Sequence, residues 1–201
     1  MSEPDSSPAL DRPGAGLPAI EKWIGRIVLK VGAMFTPTSR IIDRIATERD
    51  RLLELCHDLS ANAGTTRVLV DRVRGIEDSS RHWSVFMTLE HLRLVNDGIV
   101  SIITALKRGD PPDLVVRIED VKPPSEVGEE VISGFEESLV DLTRGIESQN
   151  RSSHSRHPHP WFGPLTAHQW AHLAAMHLGI HRHQIQRILE LLPDTQDNSA
   201  N

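Results

Sequence analysis

Two histidines lie one turn apart on the apolar face of the last long helix that the sequence predicts. At about 100° per residue, this face brings together Leu173, His177, Ile180, His181, Gln184, Ile188 and Leu192. Imidazoles at positions i and i+4 can reach one metal ion from a rigid support. Because the face is otherwise mostly apolar, His177 and His181 must find hydrogen-bond partners or an ion inside the fold.

A third histidine stands on the inward face of an earlier predicted helix, which begins near Trp83 or Ser84 and ends at Gly109. This face is predicted to carry Met87, His91, Leu94, Val95, Gly98, Ile102, Ala105 and Leu106. One such histidine alone is most often a core residue with a single hydrogen bond. For all three together, one divalent ion would satisfy every imidazole at once, and we favour that interpretation over three separate core histidines.

A carboxylate interrupts the apolar face of the helix predicted from Pro37 to Ser60. The face carries Ile41, Ile45, Glu48, Leu52, Leu55, Cys56 and Leu59. Glu48 could tilt to the rim of the core and be solvated, or it could serve as a base near a metal or as an acceptor for a ligand imidazole. Cys56 is the single cysteine, which excludes an intrachain disulfide and fits a reducing, cytoplasmic location.

The other histidines of the C-terminal half are predicted to lie away from the interior. On the last helix, His168, His172 and His183 lie between about 140° and 240° from His177 and should point outward. His168 and His172 could therefore chelate an ion adventitiously at the surface. The polar loop before the helix carries three more histidines, at positions 154, 157 and 159. A metal site in that loop is disfavoured, because a flexible loop orders its ligands at an entropy cost.

Composition and periodicity divide the 201 residues into four parts. Residues 1–16 and 194–201 are predicted to be disordered tails, residues 17–35 an amphipathic helix, and residues 36–193 one helical bundle. Residues 110–124 contain four prolines and are expected to be extended. Ser125 is predicted to cap the helix that follows them. The core face of that helix carries Val131, Phe135, Ser138, Leu139, Leu142 and Ile146.

The predicted helix at residues 17–35 mixes apolar residues with Lys22, Arg26 and Lys30. It is too short and too charged to span a bilayer, which takes about 20 mostly apolar residues. It could cover one side of the bundle, or it could make a peripheral contact with a membrane surface or a partner. A net charge of −6 without a block of Lys or Arg argues against nucleic acid as a partner.

Three segments carry a resemblance to a known family: TLEHL, HLGIHRHQI and the lead HPWFGPLTAHQW, in which Thr166 and Gln169 form a capping box. From Thr36 to Leu192 the chain resembles the DinB-like metalloprotein superfamily, and the HPWFGPL lead looks like one branch of it. The resemblance implies an all-α, four-helix bundle of up-down-down-up order, here with an extra N-terminal helix, and a homodimer is plausible. It also implies that His91, His177 and His181 bind a divalent metal, commonly zinc or nickel. His183 replaces a glycine that is frequent in relatives.

Two functional hypotheses follow, because three histidine ligands leave a coordination position open, as in catalytic zinc sites. By resemblance, the first is a metal-dependent enzyme of thiol-dependent transferase or hydrolase type. It would act on a small-molecule substrate with a low-molecular-weight thiol, such as mycothiol, bacillithiol or glutathione, as cosubstrate. The second is a non-enzymatic, metal-stabilised stress protein that binds a partner or a membrane surface through residues 17–35. A metal-free packing bundle would require that the histidines do not converge.

Overall fold

The computed structural model describes residues 8–109, 115–148 and 155–193. Six helices occupy most of these residues: α1 (Ala19–Phe35), α2 (Thr38–Cys56), α3 (Ala61–Thr65), α4 (Val85–Arg108), α5 (Val131–Glu147) and α6 (Ala167–Leu191). Two small antiparallel hairpins pair β1 (Val68–Leu69) with β2 (His82–Trp83) and β3 (Arg156–His159) with β4 (Gly163–Thr166). Short 3₁₀ helices lie at Asp78–Ser80 and Glu119–Val121.

The four long helices α2, α4, α5 and α6 form the bundle. Helix α4 packs against α5 and α6, and α2 packs against the same two helices, so that α5 and α6 lie diagonally across the bundle. Helix α1 lies outside this ring, against α6. The predicted all-α, four-helix architecture is confirmed. Among the described residues, no helix combines the length and the apolarity needed to cross a membrane.

Local sequence signals account for where the two histidine-bearing helices begin and end. The Ser84 hydroxyl accepts from the amide of Met87 at the start of α4. At the other end, Gly109 adopts φ 76°, a left-handed conformation in which glycine is unstrained. The predicted capping box at the start of α6 is present, with reciprocal hydrogen bonds between Thr166 and Gln169. These signals fix the start of both helices and the end of α4, and so the places of the histidines along them.

Two predicted helix boundaries were wrong. Helix α5 begins at Val131 and not at Ser125, because Gly128 and Glu130 form a separate turn in which the Glu130 carboxylate accepts from the Gly128 amide at 3.1 Å. Helix α2 ends at Cys56, before the predicted Ser60. Instead, the Ser60 hydroxyl caps the short helix α3 by accepting from the amide of Ala63.

The buried face of α4 is wider than the single stripe predicted for it. Met87, His91, Ile102 and Leu106 are buried as expected, whereas the other four predicted residues, Leu94, Val95, Gly98 and Ala105, are only half-buried. The helix also buries a neighbouring stripe that includes Leu89, Leu92, Asn96, Ile99 and Ile103. Contact with α5 and α6 at once explains the extra burial. His91 therefore lies at one edge of the buried face, next to the loops at that end of the bundle.

Candidate metal centre

Three histidines from two helices converge at one point beside the bundle core. His91 comes from α4, while His177 and His181 come from successive turns of α6. The Nε2 atom of His177 lies 3.2 Å from Nε2 of His91 and 3.0 Å from Nε2 of His181. One nitrogen from each residue falls within 4.8 Å of the other two, so the group could hold a metal ion. The histidines that sequence periodicity singled out are thus brought together.

The outer nitrogens of two of these rings are fixed by the fold. Nδ1 of His91 lies 2.7 Å from the carbonyl oxygen of Val121, and Nδ1 of His181 lies 2.8 Å from the amide oxygen of Gln184. The Gln184 amide nitrogen donates in turn to the Ser80 carbonyl at 2.7 Å. A carbonyl oxygen only accepts, so both Nδ1 atoms carry a hydrogen. Both Nε2 atoms therefore present a lone pair to the centre of the group.

A cation would satisfy this arrangement of lone pairs. When the rings are neutral, the Nε2 atom of His177 carries at most one hydrogen. Two lone pairs face this atom, one on His91 Nε2 and one on His181 Nε2. Without an ion, at least one nitrogen is left without a full hydrogen bond in a buried place, at a cost of about 1–3 kcal/mol. A divalent ion would be coordinated by all three Nε2 atoms, while the Nδ1 contacts orient the rings. The residues present therefore fit a three-histidine metal site.

Burial keeps the three imidazoles neutral. Desolvation lowers the pKa of His91 to about 4 and lowers the pKa values of His177 and His181 well below 6.5. At neutral pH, protons therefore do not compete with a metal for these nitrogens. His91 and His181 are buried, whereas His177 is only half-buried. His177 is thus the most exposed of the three histidines.

A loop and a 3₁₀ turn cover the histidines. The ring of Trp83, in β2, lies with its centre 5.1 Å from that of His91 and stacks on His181 at 6.3 Å. The Lys122 ammonium lies 5.3 Å from the Trp83 ring centre and donates to the hydroxyls of Ser79 and Ser80. Sequence reasoning did not identify these residues. For Trp83, Ser79 and Ser80, the sequence signal that could have found them is the length of the connection between α2 and α4, because a long ordered connection often covers a site.

Glu48 is buried on the face of α2 where periodicity placed it, and its carboxylate is held by arginines. One oxygen accepts from Arg182 Nε at 2.6 Å and the other from Arg51 at 3.4 Å. The acceptors for His91 and His181 are the Val121 carbonyl and the Gln184 amide, so Glu48 does not orient those two rings. Its role as a base near the metal stays a prediction.

The surface position predicted for two histidines of α6 was wrong. His172 is buried and packs under Gly32 of α1, and His168 Nε2 lies 3.0 Å from the carbonyl oxygens of both Ala33 and Thr36. Both point away from the bundle core as predicted, but α1 covers that side of α6. His183 is exposed, as expected. His168 and His172 thus stabilise the docking of α1 and are not a surface chelate.

The histidine-rich segment before α6 is partly ordered as a hairpin. His157 is buried in β3, whereas residue 154 lies outside the described residues. Nδ1 of His159 accepts from the backbone amides of Trp161 and Phe162 at 3.1 and 3.4 Å, and its ring stacks on Phe162 at 4.7 Å. Burial lowers the His159 pKa to about 4. The His159 ring also lies 5.2 Å from that of Trp170, on the helix that carries His177 and His181. Sequence reasoning missed this packing of the hairpin on α6.

Comparison with known proteins agrees with the fold and identifies the family. A family model of the DinB superfamily matches residues 39–185. The chain belongs to the DinB superfamily. The matched region contains His91, His177 and His181 and leaves α1 outside. Which branch of the superfamily the HPWFGPL lead indicates stays a prediction.

Among solved structures, this DinB superfamily chain is similar to TT2238, which is described as a four-helix bundle protein. The two share 21% sequence identity with a TM-score of 0.54, over 75% of this chain and 98% of that chain. At this identity the likeness shows the fold alone. No curated protein matches the chain.

Proposed function

We propose that this DinB superfamily protein is a metal-dependent enzyme that uses an open three-histidine site. The observation that carries the proposal is the convergence of three Nε2 atoms, one of them on the half-buried His177. Three protein ligands with a position left for water or substrate are typical of catalytic zinc, whereas structural zinc is closed by four. The open position would lie beside His177, the most exposed of the three histidines.

His91, His177 and His181 would hold the ion, and zinc or nickel suits three imidazole ligands. A bound divalent ion would supply a Lewis acid and a site for water or a thiolate. The proposed reaction is transfer to or from a low-molecular-weight thiol, or a related hydrolysis, acting on a small molecule. The proposed location is the cytoplasm, where such thiols are kept reduced.

Residues of the chain itself would prepare the site for such a substrate. The Val121 carbonyl and the Gln184 amide keep their imidazoles in one tautomer and one orientation. Because the Nδ1 atom of His159 accepts two backbone amides, the neutral ring carries its hydrogen on Nε2. We propose that this N–H donates to the ligand of the open position, since the His159 ring packs at 5.2 Å on that of Trp170, which lies two turns before His177 on α6. Trp83 excludes water on the opposite side, where its ring packs on His91 and His181.

The first test is the metal content of tag-free protein by elemental analysis. Wild type is compared with His177→Ala, and His183→Ala, an exposed histidine of the same helix, is the matched control. We expect near-stoichiometric divalent metal in wild type and in the control, and loss in His177→Ala. Failure of the wild-type protein to retain or rebind any divalent ion would overturn the proposal.

The second test addresses the open position. Wild type and His159→Gln are loaded with Co²⁺, and absorption spectra are recorded while glutathione, mycothiol or bacillithiol is added. A thiolate-to-metal charge-transfer band in wild type supports the proposed thiol-dependent reaction. Weaker binding of the same thiol by His159→Gln supports the role of His159 as a hydrogen-bond donor. If no thiol changes the spectrum, the proposal of a thiol-dependent transferase is contradicted, and the activity screen is directed to hydrolysis.

A further inference from the structure

One face of α1 is apolar and open to solvent along its whole length. Trp23 is 61% exposed and Phe35 is 78% exposed. Six members of this stripe illustrate its helical spacing: Ile20, Trp23, Ile24, Ile27, Val31 and Phe35. Scattered exposed apolar residues are normal on a protein, but a contiguous stripe marks an interaction surface.

The stripe is not a misplaced part of the core, because α1 is already docked through its other side. Leu29 and Ala33 are buried against the bundle, and α1 comes so close to α6 that a Cβ atom on Gly32 would lie 2.8 Å from Nε2 of His172. The Arg26 guanidinium donates to the Trp161 carbonyl at 3.1 Å. These contacts fix which face of α1 points outward.

The charges on α1 differ in sign from those of the rest of the chain. Lys22, Arg26 and Lys30 recur every four residues along one flank of the stripe. The helix has one acidic residue, Glu21, which is neutralised by Arg72 at 2.7 Å. The chain as a whole has a net charge of −6. The outer side of α1 is therefore apolar with a basic border.

The acidic surface of the bundle lies away from this border. Helix α5 exposes Glu136, Glu137 and Asp141, and it stands diagonally across the bundle from α6, on which α1 is docked. The molecule thus has a basic, apolar side and an acidic side. An anionic surface would attract the basic, apolar side of the molecule. The acidic side would then lie farthest from that surface, beyond about one Debye length of 8–10 Å.

We propose that α1 docks this protein on an anionic lipid surface, with the apolar stripe in the boundary between headgroups and acyl chains and the basic flank against the headgroups. A helix with Trp and Phe on one face and Lys or Arg beside it binds membranes in this way. A second copy of the chain fits the charges less well, because it offers no negative charge to the basic flank, and antiparallel pairing of two stripes would bring two basic flanks to the same side. The proposal is independent of the metal site, whose ligands lie on α4 and α6.

The test is co-sedimentation of the full chain with vesicles of phosphatidylcholine alone and of phosphatidylcholine with phosphatidylglycerol. The double variant Trp23→Ser/Phe35→Ser removes two exposed side chains of the stripe. Val140→Ser removes an apolar side chain that is 54% exposed on α5, and it serves as the matched control. Metal content and thermal unfolding are measured on every sample, so loss of the fold or of the metal site is seen separately.

We expect wild type and Val140→Ser to bind anionic vesicles only, with a partition coefficient that falls about tenfold or more in the double variant. Lys22→Gln and Lys30→Gln should each weaken binding about fivefold at low salt. No binding of wild type to anionic vesicles would overturn the proposal. If light scattering then shows a dimer that the double variant converts to a monomer, the stripe is an interface between two copies.

Discussion

Gln184 joins His181 to the loop that covers it. The amide oxygen of Gln184 lies 2.8 Å from Nδ1 of His181, and its amide nitrogen donates to the Ser80 carbonyl at 2.7 Å. Gln184 is fully buried one turn after His181 on α6. Both ends of its amide are satisfied in only one orientation, so it fixes the tautomer of His181 and leaves the Nε2 lone pair for a metal.

Replacing Gln184 should therefore weaken metal binding without removing a ligand. For Gln184→Leu we expect the dissociation constant for Zn²⁺ to rise about 10–100-fold, because His181 loses the acceptor that orients it. Competition with a chromophoric chelator measures this constant. Gln186→Leu, two residues farther along α6, is the control, since Gln186 contacts Arg182 and not a histidine. Equal constants for wild type and Gln184→Leu would contradict the orienting role.

The convergence of the three histidines could be predicted from the sequence because they obey helical periodicity. His177 and His181 are one turn apart, and His91 falls on the buried face of a helix with clear stop signals. The all-α fold followed from the same regularity. Trp83 and Lys122 could not be found in this way, because they reach the site from a hairpin and a loop whose paths depend on tertiary contacts.

Tertiary context also explains the wrong prediction for His168 and His172. An angle on a helical wheel tells which residues share a face, but it does not tell how many faces are covered. Helix α1 covers the second face of α6, and the two histidines meet it there. Gln184 shows the reverse case: its place on the inward face was predicted, but its hydrogen-bonding role depends on Ser80, 104 positions earlier in the chain.

The buried ion pair between α2 and α6 should matter for stability more than for metal binding. The Arg182 guanidinium lies 2.6 Å from the Glu48 carboxylate, and their side chains are only 13% and 7% exposed. Glu48→Ala leaves a buried guanidinium without its partner, so we expect a loss of about 3–5 kcal/mol in the free energy of unfolding. Urea unfolding measures the loss, and elemental analysis should show unchanged metal stoichiometry.

The exposed pair Arg187–Glu190 is the control for that experiment. Its side chains are 54% and 57% exposed, so Glu190→Ala should change stability by less than about 1 kcal/mol. Glu48→Gln separates the two roles considered for Glu48, since it keeps the shape and removes the charge. If Glu48→Gln is fully folded but loses its metal, Glu48 belongs to the metal centre and the purely structural reading is wrong.

Acid should destabilise the metal-free protein as its buried histidines become charged. Burial lowers the pKa values of His91 and His159 from 6.5 to about 4 in the folded state. Between these two pH values the unfolded chain binds more protons than the folded one, so stability is present above pH 6.5 and falls as the pH drops toward 4. Each such histidine contributes at most about 1.4 kcal/mol per pH unit. Thermal unfolding of chelator-treated protein across this range measures the slope.

His159→Gln provides the comparison, because glutamine does not titrate. The variant should show a shallower fall in stability between pH 6.5 and pH 4 than wild type, with the difference confined to that window. His183→Gln, at an exposed histidine of α6, is the matched control. Identical slopes for wild type and His159→Gln would show that His159 is not held neutral in the folded protein.

Close approach of α1 to α6 depends on Gly32. A Cβ atom at this position would lie 2.8 Å from Nε2 of His172, which is buried and has little room to move. We therefore expect Gly32→Ala to lift α1 partly from α6 and to cost about 1–3 kcal/mol, more than the helix propensity gained from alanine. Hydrogen exchange of the α1 amides should become faster, while the metal content stays the same because no ligand lies on α1.

Gly98→Ala is the matched control within α4, since nothing lies within 4 Å of a Cβ atom built on Gly98. There the substitution should stabilise the protein by about 0.5–1 kcal/mol, because alanine loses less backbone freedom on folding than glycine. If Gly32→Ala lowers stability while Gly98→Ala raises it, contact with His172, and not the loss of a glycine, is responsible for the destabilisation by Gly32→Ala. If Gly32→Ala also raises stability, α1 is not held in the tight contact with α6 described above.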